Sequence, residues 1–296
     1  MARLIAEIGG SSSRWAVLLD GRDPLVLPRP GDAMPGFNPL SGDAVAFAQG
    51  VVARFQAAAP GALTATAVEA YGAGCGSAER AAVMESALRQ IWPSAAITVR
   101  TDLEGAARGL VGEAQGLVII LGTGANVGWY DGAAVHQVMP SLGYILGDEG
   151  SGADIGRTLL QDAFYRRMPE EVRVALFGHG GPDLGTVLQE VYRSAFPSKA
   201  LAAHAGLLQG MTEMPYVREL ITARFQAFIE AFKPFHPQEQ RERVHATGSV
   251  AWGFRDILAN CLLDHGMELV AVERDPLNGL VHWHRRSPGQ QRQGPR

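Results

Sequence analysis

Three glycine-rich turns, each directly after an apolar run, carry the clearest chemistry in this sequence. Gly9-Gly10-Ser11 follows Leu4-Ile5-Ala6-Glu7-Ile8, Gly122-Thr123-Gly124 follows Leu117-Val118-Ile119-Ile120-Leu121, and Gly248-Ser249 follows Val244-His245-Ala246-Thr247. Glycine lets backbone N–H groups approach phosphate oxygens without a Cβ in the way. Parallel α/β sheets gather their ligands at the carboxyl ends of the strands, where such turns lie. The pattern points to a phosphorylated ligand. No Gly-Lys-Ser/Thr is present, and no turn has the G-x-G-x-x-G spacing that opens a dinucleotide-binding helix. Of the 26 basic residues all but Lys199 and Lys233 are arginine, so a phosphate-binding lysine is hard to place.

Carboxylates stand beside these turns. Glu7 ends the first apolar run; it reads either as a Mg²⁺ ligand acting through water, since Mg²⁺ keeps several waters and uses few carboxylates, or as a solvated strand end. Asp102 follows the short run Ala96 to Val99; from spacing alone it reads as a helix cap, and as a general base if it faces a ligand. Asp148, in Gly147-Asp148-Glu149-Gly150, is a glycine-flanked carboxylate able to accept two hydroxyl hydrogens. The eight histidines form no H-E-x-x-H or Cys/His spacing. Cys75 and Cys261 are too few for a disulfide framework and fit a reduced cytoplasm.

These residues need elements to hold them. The chain has 296 residues, about two domains' worth at roughly 100–150 residues each. It is 47% hydrophobic and 19% charged, as expected of a globular protein, with 36 glycines. A net charge of −4 provides no field to recruit nucleic acid or an acidic membrane. No apolar stretch is long enough for a membrane span, and an acid and glycines interrupt the N-terminus before a signal core could form. A cytoplasmic location is expected. Residues 3–7 and 15–19 read as strands around the first turn, and 117–121 and 127–130 repeat that unit around the second, which suggests an internal duplication. Helical spacing covers Ser41 to Ala59, Ser77 to Ile91, Gly105 to Val111 and most of Ile155 to Phe232. The row Phe225, Phe228, Phe232 reads as core.

Glu7-Ile8-Gly9-Gly10-Ser11-Ser12-Ser13 resembles the first phosphate loop of the actin/hexokinase/heat-shock-chaperone superfamily. Leu121 to Asn126 resembles its second phosphate loop, and Ala246 to Ala251 its adenosine loop. More specifically, Ser141-Leu142-Gly143-Tyr144-Ile145-Leu146-Gly147-Asp148-Glu149-Gly150-Ser151-Gly152 is similar to a segment of N-acetylglucosamine kinases and their bacterial relatives in the BadF/BadG-type ATPase group.

The resemblance spans nearly the whole chain and implies two RNase H-like α/β domains with a cleft between them. Residues 1–113 would form the first and 114–271 the second, with a helix near 272–286 returning to the first and a disordered tail at 287–296. It implies ATP against Gly9, Gly10, Ser11, Gly122, Thr123 and Gly124, with adenosine at Gly248 and Ser249 and, more loosely, near Ala202. Asp102 would take the proton of a sugar hydroxyl. The sugar would be lined by Asn38, Asp102, Ala125, Asn126, Ser141, Leu142, Gly143 and Asp148, and Glu7 would hold Mg²⁺ through water. Asn38 also reads as a Pro-flanked loop asparagine, Asn126 as a phosphate ligand or a turn cap, and Glu149 as a hydroxyl ligand or a helix cap. The sequence departs from its relatives at Ser12, where they carry a cation; Arg14 shares the face of Ser12 only if no bulge intervenes.

The implied activity is transfer of phosphate from ATP to an amino sugar, N-acetylglucosamine to its 6-phosphate, by a homodimer without nucleic acid or membrane partners. Two alternatives remain: an ATPase activator of a 2-hydroxyacyl-CoA dehydratase-type system, which needs a cysteine-held cluster, and a non-catalytic nucleotide- or sugar-binding pseudokinase.

Overall fold

The chain builds one five-stranded sheet pattern twice. A computed structural model describes residues 2–19, 21–40 and 42–286 and divides into two units, one running up to Gly112 and resuming at Pro276, the other from Glu113 to Asp275. The tail expected at 287–296 lies outside the described residues.

The first unit holds β1 (Arg3–Ile8), β2 (Ser13–Leu18), β3 (Leu25–Leu27), α1 (Ala44–Ala58), β4 (Ala67–Gly72), α2 (Ala78–Arg89), β5 (Ala96–Thr101) and α3 (Asp102–Leu110). Its sheet order is β3-β2-β1-β4-β5, an antiparallel meander followed by two parallel strands. The second unit holds β6 (Gly116–Leu121), β7 (Ala125–Tyr130), β8 (Val135–His136), α4 (Gly143–Leu146), α5 (Gly152–Phe164), α6 (Glu170–Phe177), α7 (Leu184–Tyr192), α8 (Pro197–Gly206), α9 (Pro215–Phe232), α10 (Gln238–Arg241), β9 (Arg243–Thr247), α11 (Ser249–Gly253), α12 (Arg255–Asp264) and β10 (Glu268–Glu273). The order β10-β9-β6-β7-β8 repeats the same meander and parallel pair. The chain then returns to the first unit as α13 (Leu277–Arg286).

Strand alternation decides what each sheet face buries. In the first unit Leu4, Ala6, Ile8, Trp15, Val17, Val68 and Ala70 face α1 and α2, packing on Phe47, Val51, Phe55 and Met84. Trp15, Phe55 and Trp92 form an aromatic cluster with ring centroids 5.4–5.7 Å apart. Both indoles are satisfied: Trp15 donates to Ser13 Oγ at 2.8 Å and Trp92 to the Ala62 carbonyl at 2.9 Å. The opposite face buries Ile5, Ala16 and Tyr71 against Leu277, Leu280 and Val281 of α13. In the second unit Phe225, Phe228 and Phe232 are core, against Leu117, Ile119 and Leu121 of β6.

Some helices start elsewhere than expected. The helix anticipated from Gly105 starts at Asp102, because Thr101 supplies a cap. The helix anticipated near 272 starts at Leu277, because 268–273 pairs in parallel with β9 as the edge strand β10. The short strands β3 and β8 are too brief to show alternation.

A polar network lies under the first sheet. Arg108 donates to the Tyr71 hydroxyl oxygen at 3.1 Å, and that hydroxyl lies 2.8 Å from His284 Nε2. With its oxygen already accepting, the phenol gives its hydrogen to an unprotonated Nε2. Burial pushes His284 down to about 4, with Arg108, Arg100 and Arg3 adding to the effect. The unfolded imidazole, at its ordinary 6.5, binds a proton that the folded one refuses. The associated stability is complete above pH 6.5 and is lost as pH falls toward 4, by an amount on the order of 3 kcal/mol. Replacing His284 by phenylalanine removes this acid limb, while Arg108 still partners Tyr71. Urea unfolding at pH 5 and pH 7.5 measures it: the wild type is weakened at pH 5 and the variant is changed far less.

Candidate active site

In the first unit the register brings the ends of three parallel strands level: Ile8 lies beside Gly72, and Gly72 beside Thr101. The turn after β1, the turn after β4 and Asp102 therefore leave one edge of the sheet. Asp102 stands two strand spacings, about 10 Å, from the end of β1.

The first turn is tied down by backbone contacts. Gly9 N–H donates to Ser12 O at 2.9 Å, and Gly9 O accepts from Phe37 N–H at 3.0 Å. Ser13 Oγ donates to Pro35 O at 2.6 Å. A Cβ on Gly36 would stand 2.2 Å from Ser12 N, so glycine is needed there for the 34–38 segment to press on the turn. That segment delivers Asn38. Its Cβ lies 3.8 Å, and its Oδ1 3.6 Å, from where side chains on Gly10 and Gly74 respectively would begin. Asn38 Oδ1 accepts from Leu40 N–H at 3.0 Å, which leaves the amide Nδ2 as the donor to offer a ligand. No bulge interrupts β1 and β2, and Arg14 stands directly across from Glu7.

Asp102 is not the cap of α3. Thr101 Oγ1 accepts from Glu104 N–H at 3.1 Å, while Asp102 Oδ1 accepts from the adjacent Leu103 N–H at 2.9 Å. The cap was legible as Thr101-x-x-Glu104. Close by, burial pushes the Cys75 thiol up to about 12, and the Asp102 carboxylate adds to the shift, so this thiol stays protonated.

In the second unit the turn between β6 and β7 is closed by Gly122 N–H to Gly124 O at 3.0 Å. Its carbonyls accept from the first amides of α5: Gly152 N–H to Gly122 O at 2.7 Å and Ala153 N–H to Thr123 O at 3.1 Å. Gly248, at φ 112°, lies on the end of β6; a Cβ would be 2.2 Å from Leu121 O. The second phosphate-type turn and the Gly248-Ser249 turn are thus neighbours. Ala202 of α8 sits against Gly152.

One pocket in this unit is lined by Ala125, Asn126, Ser141, Leu142, Asp148 and Glu149. Gly143, at φ 73°, begins α4 just outside the lining. Asp148 is held in the left-handed region at φ 59°, a position few non-glycine residues take. Its carboxylate oxygen is 2.9 Å from the Cβ position of Gly124. Burial pushes its carboxyl up to about 6; Ala125 N–H opposes the shift by donating to it, while Glu149 and Asp154 reinforce it. Asn126 Oδ1 accepts from Val127 N–H at 3.0 Å and from Gln137 Nε2 at 2.6 Å. Ser151, and not Glu149, caps α5, accepting from Asp154 N–H at 3.2 Å.

Each unit thus gathers its own share of the expected residues. Glu7, Gly9, Gly10, Ser11, Asn38 and Asp102 fall at one sheet edge of the first. Gly122, Thr123, Gly124, Gly248 and Ser249 surround one strand end of the second, with the Asp148 pocket beside them.

No family model and no curated protein matches the chain. Solved structures do. A proposed N-acetylglucosamine kinase from Porphyromonas gingivalis is 30% identical, with a TM-score of 0.82 over 96% of this chain and 99% of that one. The chain belongs to the sugar kinases of the actin/hexokinase-like superfamily. A proposed N-acetylglucosamine kinase from Chromobacterium violaceum is similar at 21% identity and TM-score 0.69, covering 95% of this chain and 98% of that one. A ROK family glucokinase from Streptomyces griseus, in complex with glucose and AMPPNP, matches at 16% identity and TM-score 0.59, covering 96% and 98%. Both share the fold of two mixed α/β sheets. Among the described residues no helix is long and apolar enough to cross a membrane.

Proposed function

We propose that this sugar kinase uses MgATP to phosphorylate an amino sugar, with N-acetylglucosamine converted to its 6-phosphate as the preferred reaction. The observation that carries the reading is the Asp148 pocket. A desolvated carboxylate in a left-handed backbone position is costly to fold, and it lies directly against a glycine turn suited to phosphate. Carbohydrate hydroxyls donating to that carboxylate give the arrangement its use.

A sugar hydroxyl is a weak nucleophile at neutral pH, and phosphoryl transfer depends on positioning, charge neutralisation and a base. In this reading Asp102 takes the hydroxyl proton, and its half-buried place at the sheet edge suits that role. Asn38 and Asp148 orient the acceptor; Ser141, Leu142 and Gly143 contribute its N-acyl side. The turn amides of Gly9–Ser11 and Gly122–Gly124 hold phosphate oxygens, and Gly248 and Ser249 lie along adenosine. Arg14, opposite Glu7, supplies the positive charge that Ser12 lacks.

Glu7 would hold Mg²⁺. Among the described residues no cluster of three or more His, Cys, Asp and Glu could form a protein-built metal cage. A single carboxylate, completed by phosphate oxygens and water, is the donor set Mg²⁺ accepts. The ion would neutralise charge on the triphosphate. The redox-activator alternative is disfavoured by packing: Cys75 and Cys261 are both buried, each inside its own unit, and cannot reach a cluster shared between copies.

A panel of N-acetylglucosamine, glucosamine, N-acetylmannosamine and glucose with MgATP, read by coupled ADP detection, tests the acceptor. N-acetylglucosamine is expected to give a kcat/KM at least tenfold above glucose. Equal values for the two overturn the amino-sugar assignment.

A further inference from the structure

Asp154 has no part in the reaction described so far, yet it is the most buried carboxylate near the acceptor pocket, at 2% exposure. Its Oδ2 accepts from Gly150 N–H at 3.0 Å and faces Arg224 Nε at 3.5 Å. Its Oδ1 accepts from Arg157 Nη2 at 2.8 Å. Arg157 then uses Nη1 to donate to the Tyr144 carbonyl at 3.0 Å. One ion pair on the first turns of α5 therefore holds two separate stretches of backbone. Through Tyr144 it holds the segment that carries Ser141, Leu142 and Gly143, and through Gly150 it holds the segment that carries Asp148.

The backbone bonds of these stretches themselves are few, among them Gly147 N–H to Gly143 O at 2.9 Å and Ser151 N–H to Asp148 O at 3.1 Å. The helix α4 between them is four residues long, Leu142, Ile145 and Leu146 are exposed, and Gly143, Asp148 and Gly150 all take positive φ. A buried ion pair is weak support for stability, since well-packed apolar residues serve as well or better. Its value lies in fixing geometry, and the geometry it fixes here is that of two walls of one pocket.

We infer that Asp154 and Arg157 are a positioning pair that sets acceptor affinity in this kinase by holding the 141–146 and 147–151 segments in register. The inference rests on the sugar-kinase reading for its substrate. Among the described residues the pair's side-chain hydrogen bonds run to Gly150 and Tyr144 and not to the Gly122–Gly124 turn, so it governs the acceptor and not the nucleotide.

The charges around Asp148 extend the consequence. Glu149 and Asp154 push its proton affinity up, Ala125 N–H opposes them, and Arg157 and Arg224 face Asp154. Asp154→Asn removes a negative charge and moves the acid limb of acceptor kcat/KM to lower pH. Arg157→Met leaves Asp154 less compensated and moves it to higher pH.

Steady-state kinetics of Asp154→Asn, Arg157→Met and the double variant, with hydrogen exchange of the same proteins, tests the inference. Acceptor KM is expected to rise ten- to a hundredfold in each single variant, with ATP KM and saturating kcat within about threefold of wild type. The double variant costs little more than either single one, because the two residues act as a unit. Amides of 143–151, Gly150 above all, exchange faster. Unchanged acceptor KM, equal losses in kcat and both KM values, or acid limbs that do not move in opposite directions overturn the inference. If Asp154→Asn does not fold, Arg157→Met, altered at a side chain 37% exposed, carries the test alone. If the wild type turns over no sugar at all, the function reading fails separately. The exchange arm still decides positioning, and unchanged protection of 143–151 overturns it.

Discussion

Replacing Asp102 by asparagine is expected to lower kcat by two to four orders of magnitude and to leave the fold and ATP KM close to wild type. The size follows from the loss of a positioned base, which contributes roughly 10²–10⁴-fold. The clean separation from stability follows from local structure. Thr101 caps α3, so the helix keeps its cap in the variant. An asparagine oxygen can still accept from Leu103 N–H as Asp102 Oδ1 does. What disappears is the ability to take a proton. Steady-state kcat, read beside the thermal midpoint of both proteins, checks it; a variant retaining most of its activity removes Asp102 from the chemistry.

The second large effect concerns Asp148. Asp148→Asn is expected to raise acceptor KM by about a hundredfold, since a buried charged acceptor for hydroxyls is worth several kcal/mol to a matching ligand. The same change stabilises the protein. With its carboxyl raised from 3.8 to about 6, the folded chain keeps a proton that the unfolded chain gives up. Stability therefore falls as pH rises through that window, and above about 6 the full cost, on the order of 2–3 kcal/mol, is present. Asparagine escapes this cost and also accepts the left-handed backbone more readily. Wild-type acceptor kcat/KM is expected to decline below pH 6, and the variant to lack that decline. Urea unfolding at pH 8 and pH–rate profiles measure the two halves. A variant that is less stable at pH 8, or that binds acceptor as wild type does, contradicts this role.

Much of this was legible in the residues. The repeated unit of apolar run, glycine turn and second strand marked both halves, because glycine after an apolar run has a local cause that tertiary structure seldom overrides. The strand order repeats as that similarity suggested. The Gly147 to Gly152 run led to a pocket because its glycines and its left-handed aspartate permit a backbone path that other residues resist.

Other features were decided by a competing neighbour or by partners far away in the chain. Asp102 read as a cap because aspartate caps well, and only the competing hydroxyl of Thr101 decides the matter. Val272 and Glu273, the end of β10, read as the start of the helix after them, because an edge strand buried part-way on both faces lacks clear alternation. Asp154 passed as one more acid in a helical first turn; its burial depends on Arg224, from a helix some 70 residues on. The Arg14 face could not be settled until pairing excluded a bulge.

The most direct test of the central claim is the stoichiometry of ADP release with and without sugar. Purified wild-type protein, MgATP and N-acetylglucosamine are incubated, and ADP and sugar phosphate are quantified together. One ADP per sugar 6-phosphate, with ADP release near background when sugar is omitted, is the predicted result. ADP release at the same rate with and without sugar, and no phosphorylated sugar, would contradict it.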